Sequence, residues 1–406
     1  MSTCAKNAEK AEQSERLLSL EFLVLFFQAT CCNCYIAVFY CMEQWMARID
    51  VMPGTRGLLL SVLACVVFLT RPVSTYYLYG RNKRRAMILS ILTSSLTLLF
   101  YPAIQSSFAV PAIFCLRTIQ GLALAVYSSC TVSLLVDCIP KGQSARGFAL
   151  FSMTLLLPYA VIPAIGEELI SLVGGEAQLF AWTALLGFPA LLTLPLLTRI
   201  LRAQVQPHRP QKETGTRSAM WASLRLSDLG LAYLACLTFS IMTNEAIFFI
   251  KGLCQLIDAV PAYFFTTYTS TIMLIRLAGN TLFDRLPRYP VIMGASLVLA
   301  LVTSAMAYSS GKELILLSVL YGLSLGLLYP LLAAVICDRS SRELRSVNSN
   351  LMMAAFDISG VLAPIIGGFM VTTHLGYRGV FLSCSVSVAL SGLCMLCDFF
   401  FQRQKR

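Results

Sequence analysis

Five charged residues stand inside long apolar runs: Arg71, Arg117, Glu245, Arg276 and Asp357. Each run holds about 20 residues, enough to cross ~30 Å of hydrocarbon as a helix. A charge at mid-span costs at least ~2.5–3.5 kcal/mol unless it is paired or hydrated. A carboxylate kept there can exchange a proton as its cationic partner comes and goes, and an arginine can be that partner. We take these five as coupling candidates. No nucleophile–base constellation accompanies them: the only histidines, His208 and His374, lie in a polar connector and at a span end. No G-x-x-x-x-G-K-S/T loop is present to cradle a nucleotide. The chain is expected to be neither an enzyme nor an ATP-driven pump, and to use no cofactor.

The elements that must position these charges are helices. The 406 residues are 57% hydrophobic and 13% charged, too few charges to cover a soluble protein of this size. Apolar periodicity predicts an all-α membrane protein of twelve transmembrane helices, at about 20–42, 55–79, 86–105, 111–136, 146–171, 178–201, 228–252, 259–283, 289–309, 313–337, 345–373 and 378–401. Of the 31 Lys and Arg, 23 fall in the termini and connectors of one face and five at the other. That bias puts both termini in the cytoplasm, in a plasma or inner cell membrane. It also accounts for the net charge of +11 without nucleic acid. No cleavable signal peptide is expected, since the first apolar run is too long. Fifteen cysteines, including the clusters Cys31, Cys32, Cys34 and Cys394, Cys397, lie mostly within apolar runs. They read as small packing residues, not as disulfides or metal ligands.

The connector 202–227 is long, charged and proline-containing, and it divides the spans six and six. Residues 1–201 and 228–406 then form an N-terminal and a C-terminal bundle. The two halves repeat. Gly121 and Gly322, Asp137 and Asp338, Pro163 and Pro364, and Gly166 and Gly367 are each 201 residues apart. Arg81 matches Arg285, and Arg71 matches Arg276, at slightly larger offsets. Two pseudo-symmetric six-helix bundles can rock about a site between them.

Short motifs sit at corresponding places in the repeat. Leu78-Tyr79-Gly80-Arg81-Asn82-Lys83-Arg84-Arg85 joins spans 2 and 3, and Leu282-Phe283-Asp284-Arg285-Leu286-Pro287-Arg288 joins spans 8 and 9. Both resemble the G-x-L-A-D-R-x-G-R-K/R signature of the major facilitator superfamily. Arg117-Thr118-Ile119-Gln120-Gly121 resembles that family's R-x-x-Q-G motif, and Ala363-Pro364-Ile365-Ile366-Gly367-Gly368 its G-P-x-x-G-G antiporter motif. The resemblance covers the whole chain and points toward its drug and sugar efflux branch. The first half departs from the pattern. Tyr76, Gly80 and Lys83 replace a Gly, the Asp and a Gly of the signature, and Pro163-Ala164-Ile165-Gly166-Glu167 carries Glu in place of the second glycine.

The resemblance implies roles. Arg81, Arg84, Arg85, Asp137 and Arg146, with Asp284, Arg285, Arg288, Asp338, Arg342 and Arg345, would form a cytoplasmic gate of ion pairs present in one rocking state; positive-inside topology alone also explains them. Spans 2 and 11 are neighbours in that fold. Asp357 lies ~18 Å and Arg71 ~13 Å from the inner ends of their spans. They are expected to pair, either as a state-dependent coupling element or as a permanent bridge. Arg117 would assist proton transfer, although span 1 offers it no carboxylate. Glu245 is either a second coupling carboxylate or an outer-end residue facing water. Arg276 matches Arg71 but has no acid in span 5.

The central cavity is expected to draw on Gln28, Asn33, Tyr35, Tyr127, Tyr159, Asn244, Tyr268 and Tyr321, an aromatic wall suited to an amphipathic organic solute. The tyrosines serve helix packing equally well. Pro158, Pro163, Pro364, Gly367 and Gly368 weaken local helix hydrogen bonding or admit close approach, and mark hinges. The expected function is secondary transport of a small organic solute by a monomer in the bilayer, as proton-coupled efflux. Proton symport or facilitated diffusion is the alternative on the same fold. A membrane enzyme lacks its reactive groups, and a sensor lacks an output domain.

Overall fold

The computed structural model describes residues 18–77, 83–139, 147, 150–197, 229–278, 286–340 and 345–404. Among them run twelve membrane-length helical segments. The first six are α1 (Leu20–Arg48), α2 (Pro53–Tyr77), α3 (Lys83–Leu99), α4 (Ala109–Cys138), α5 (Met153–Val173) and α6 (Glu176–Leu197). The second six are α7 (Gly230–Leu256), α8 (Pro261–Ala278), α9 (Arg288–Tyr308), α10 (Leu314–Arg339), α11 (Arg345–Thr372) and α12 (Gly376–Gln404). Eleven are long and apolar enough to cross a membrane; α8 ends at the last residue described before 286. The connector 202–227 lies outside the described residues.

Local chemistry sets the ends. Ser19 caps α1, its hydroxyl oxygen accepting from the Phe22 amide at 3.2 Å. Gly174 closes α5 at φ 91°, a left-handed conformation that suits glycine. Several boundaries differ from those expected. Span 1 continues past residue 42, through the 3-10 turn Val38–Cys41 and Met42–Arg48, because Met42, Trp45 and Met46 extend its buried face. Span 5 carries a turn at Ser152, between helical Leu150 and Phe151 and the longer helix that starts at Met153. Pro158, Pro163 and Pro364 sit inside unbroken helices, as does Pro330 of α10, which sequence reading had not singled out.

The duplication is visible in the packing. Gly121 of α4 lies so close to α2 that an added Cβ would stand 2.7 Å from the Val66 Cβ, and Gly322 of α10 so close to α8 that it would stand 2.7 Å from the Tyr268 carbonyl oxygen. Gly166 of α5 fits the Tyr40 ring of α1, and Gly367 of α11 fits the Phe249 ring of α7. Each pair occupies equivalent helices of the two halves. The halves themselves meet along α2 with α11 and along α5 with α8. Twelve alternating spans return the chain to the face on which it began; we call this the terminal face and the other the far face.

Candidate functional site

The candidate site is the seam between the halves, and side chains cross it at three depths. The layer nearest the far face is ionic. Lys251 of α7 meets Glu167 of α5 at 2.7 Å, and the Tyr40 hydroxyl donates to the same carboxylate at 3.0 Å. Beside it, Glu43 of α1 pairs with Arg56 of α2 and accepts from the Tyr377 hydroxyl of α12 at 2.8 Å and from Gln44 at 2.6 Å. Glu43, Arg56 and Lys251 are all buried. Arg48 and Glu176, 2.9 Å apart, tie α1 to α6 within the first half. The backbones of α2 and α11 nearly touch here: a Cβ on Gly368 would stand 2.8 Å from the Gly57 Cα.

The middle layer is aromatic. Phe265 of α8 stacks on Tyr159 of α5, with centroids 6.0 Å apart and planes at 12°, and meets Tyr40 edge-on at 5.7 Å. Tyr268 continues the wall to Tyr321 of α10 at 5.5 Å. Thr266 donates to the Ala160 carbonyl across the seam at 3.0 Å. Asn244 of α7 donates to Ser359 of α11 at 3.1 Å, and Asn33 of α1 to Thr154 of α5 at 3.2 Å. Neither of these amide contacts crosses the seam.

The third layer lies toward the terminal face. Arg71 of α2 and Asp357 of α11 meet at 2.8 Å, their side chains 37% and 17% exposed. Arg276 of α8 hydrogen-bonds Ser152, just before α5, and lies over the Tyr329 ring at 5.9 Å. The matched arginines Arg71 and Arg276 thus both reach across the seam, one to a carboxylate and the other to a hydroxyl.

Other expected residues lie elsewhere. Gln28, Tyr35 and Tyr127 face the interior of the first half. Gln28 donates to the Ala190 carbonyl of α6 at 3.4 Å, Tyr35 and Ser95 of α3 share a hydrogen bond at 2.6 Å, and Tyr35 and Tyr127 line a cavity of about 30 Å³ among α1–α4. Glu245 is fully buried between α7 and α12, accepting from Ser383 at 3.1 Å and from the Cys384 thiol at 3.4 Å, and does not face water as one reading expected. Arg117 is buried under the Phe39 ring, 4.6 Å from its centroid. Of the expected cytoplasmic gate, Arg84 and Arg85 are exposed, and Arg288 pairs with Asp338 inside the second half. Arg81, Arg146, Asp284, Arg285 and Arg342 lie outside the described residues, as do the side chains of Asp137 and Arg345.

Sequence reading missed the far-face layer, although a signal was present. Arg56 and Lys251 are two of only five basic residues on that face, and Glu167 stands where the related motif has glycine. Scarce charges at an apolar boundary tend to find each other. Ser152, Tyr377 and Gly57 left no comparable trace.

Comparison with known proteins agrees with this architecture. A profile described as Major Facilitator Superfamily matches residues 22–253 and 258–405. The solved structure of the nucleoside transporter NupG superposes with a TM-score of 0.75 at 14% identity, covering 94% of this chain and 99% of that one. A bacterial homolog of the human lysosomal transporter Spinster, inward-facing and occupied, superposes with a TM-score of 0.70 at 14% identity, covering 94% and 96%. No curated protein matches the sequence.

Proposed function

Because the chain belongs to the major facilitator superfamily and is a membrane transporter, not an enzyme, we propose that it exports a small organic solute in exchange for protons. The carrying observation is the Arg71–Asp357 pair across the seam. Rocking that parts α2 from α11 separates the two charges. The freed carboxylate then gains or loses its proton according to which side wets it, and re-pairing expels the proton. The partial exposure of both groups supports water access. The antiporter-like Pro364-to-Gly368 run on α11 supports the efflux branch. Arg276 with Ser152 serves as the matching clasp without an acid.

In this reading the terminal face is cytoplasmic, in agreement with the Lys and Arg bias, and the protein is a monomer of the cell membrane with bundles at 1–201 and 228–406. The Lys251–Glu167 and Glu43–Tyr377 contacts form an outer gate, closed here. Arg84, Arg85, Arg288 and Asp338, with their undescribed neighbours, belong to the cytoplasmic gate. The prolines of α5 and α11, with Gly367 and Gly368, act as hinges. Tyr159, Tyr268 and Tyr321 form the aromatic wall beside the solute. Glu245, inside the second half, is left out of the proton path.

The test is proton release from inside-out proteoliposomes energised acid inside and challenged with sugars, drugs and metabolites. Compound-dependent alkalinisation that disappears in Asp357→Asn supports proton antiport. Labelled solute exchange without any collapse of the gradient rejects antiport in favour of facilitated diffusion. Acidification would instead indicate symport. The symport reading draws on the likeness to a nucleoside transporter and on Glu167 at the antiporter-motif glycine.

A further inference from the structure

Arg117 carries a buried charge that nothing described in the protein neutralises. The residue is 2% exposed, and its Nε and Nη1 have no acceptor among the described residues. The described carboxylates at the seam and the far face are engaged elsewhere: Glu43 by Arg56, Glu167 by Lys251, Glu176 by Arg48 and Asp357 by Arg71. Carboxylates outside the described residues adjoin, in the chain, the terminal-face ends of spans. Arg117 sits eight residues from the far-face end of α4, ~12 Å down and ~30 Å from its other end. The Phe39 face and the neighbouring Tyr101 hydroxyl compensate the cation only in part. A buried unpaired cation is costly, and proteins normally supply a partner.

Its surroundings indicate where that partner enters. On one side lies the cavity of about 30 Å³, bordered by Phe39 and Gln120, room for about two waters. On the other, toward the seam, stands Tyr159, in the neighbourhood of Arg117, with its ring stacked on Phe265. A solute that enters through the seam at this depth meets the aromatic wall. The guanidinium keeps open N–H positions on two of its edges, at Nε and at Nη1, and either can donate to a carboxylate oxygen. One guanidinium carries one positive charge and so matches one negative charge.

We propose that Arg117 is the anion-binding residue of the carrier, and that its solute is an aromatic or otherwise apolar monocarboxylate. This rests on the transport reading above and names the substrate class. The carboxylate seats on the guanidinium, and the planar body takes the place that Tyr159 and Phe265 now close against each other.

The test is thermal unfolding of the full-length protein in nanodiscs, with a panel of aromatic monocarboxylates such as benzoate and indole-3-acetate and with their primary amides as neutral isosteres. The acids are expected to raise the unfolding temperature by several degrees and the amides not; Arg117→Gln removes the response and Arg117→Lys keeps part of it. Equal stabilisation by acids and amides, stabilisation by neither, or an unchanged response in Arg117→Gln overturns the proposal. Should Arg117→Gln not fold, the acid–amide comparison on the unaltered protein decides alone. The readout is binding, so it fails separately from the transport reading. Vesicle exchange of a neutral solute with no acid binding removes this inference and leaves the carrier, whereas acid binding with no vesicle flux does the reverse.

Discussion

Lys251 and Glu167 meet at 2.7 Å across the seam, one on α7 of the second half and the other on α5 of the first. They are unequally buried: the Lys251 side chain is 3% exposed and that of Glu167 34%. Removing either partner therefore has unequal consequences. Glu167→Gln strands a buried ammonium and is expected to destabilise the closed far face by about 2 kcal/mol, whereas Lys251→Met frees a carboxylate that water reaches and costs about 1 kcal/mol. Spin-label distances across the far face should show the open population rising more in Glu167→Gln. Equal populations in the two variants would refute the asymmetry.

Arg71 and Asp357 should behave as one unit. Each single neutralisation, Arg71→Gln or Asp357→Asn, is expected to lower proton-coupled flux at least tenfold. Stability should fall by only about 1 kcal/mol, because both side chains are partly exposed. Asp357→Asn should also flatten the pH dependence of flux while leaving solute exchange measurable. The swapped pair Arg71→Asp with Asp357→Arg should recover stability. Full pH-dependent coupling in Asp357→Asn would remove this residue from the mechanism.

The close approach of α2 and α11 gives a steric prediction. Gly368→Ala places a Cβ 2.8 Å from the Gly57 Cα, a backbone atom that cannot move without parting the helices. Overpacking of this kind costs about 1–3 kcal/mol and should hold the far face ajar. Gly294 of α9 has nothing within 4 Å of its added Cβ. Gly294→Ala should therefore be neutral or stabilise by about 0.5–1 kcal/mol through helix propensity. Paired thermal unfolding and flux measurements on the two variants check both signs.

The Glu43 cluster gives a graded series. Tyr377→Phe removes one donor to a buried carboxylate that keeps Arg56 and Gln44, and should cost about 1–2 kcal/mol. Arg56→Gln removes the counter-charge from a carboxylate 1% exposed and should cost about 3 kcal/mol or more. Unfolding temperatures in that order support the cluster as a structural anchor of the far face; the reverse order contradicts it.

Sequence alone determined the class of this protein. Span lengths, the Lys and Arg bias and the 201-residue repeat are properties of composition along the chain, which the bilayer reads directly. The resemblance of the motifs carried the neighbourhood of α2 and α11, and with it the Arg71–Asp357 pair. What sequence left open is the rotation of each helix about its axis. A span that is apolar on every side has no preferred face, because lipid and a neighbouring helix are equally apolar. Tyr35 and Tyr127 therefore read as cavity residues and turned inward to Ser95 and the bundle interior, while Tyr159 and Tyr268 turned to the seam. Close packing at small residues, glycine on glycine at Gly57 with Gly368 and glycine on a ring at Gly166 with Tyr40, sets those rotations. Only the tertiary structure brings Glu167 to Lys251, Ser152 to Arg276 and Tyr377 to Glu43, and leaves Arg117 without a carboxylate partner among the described residues.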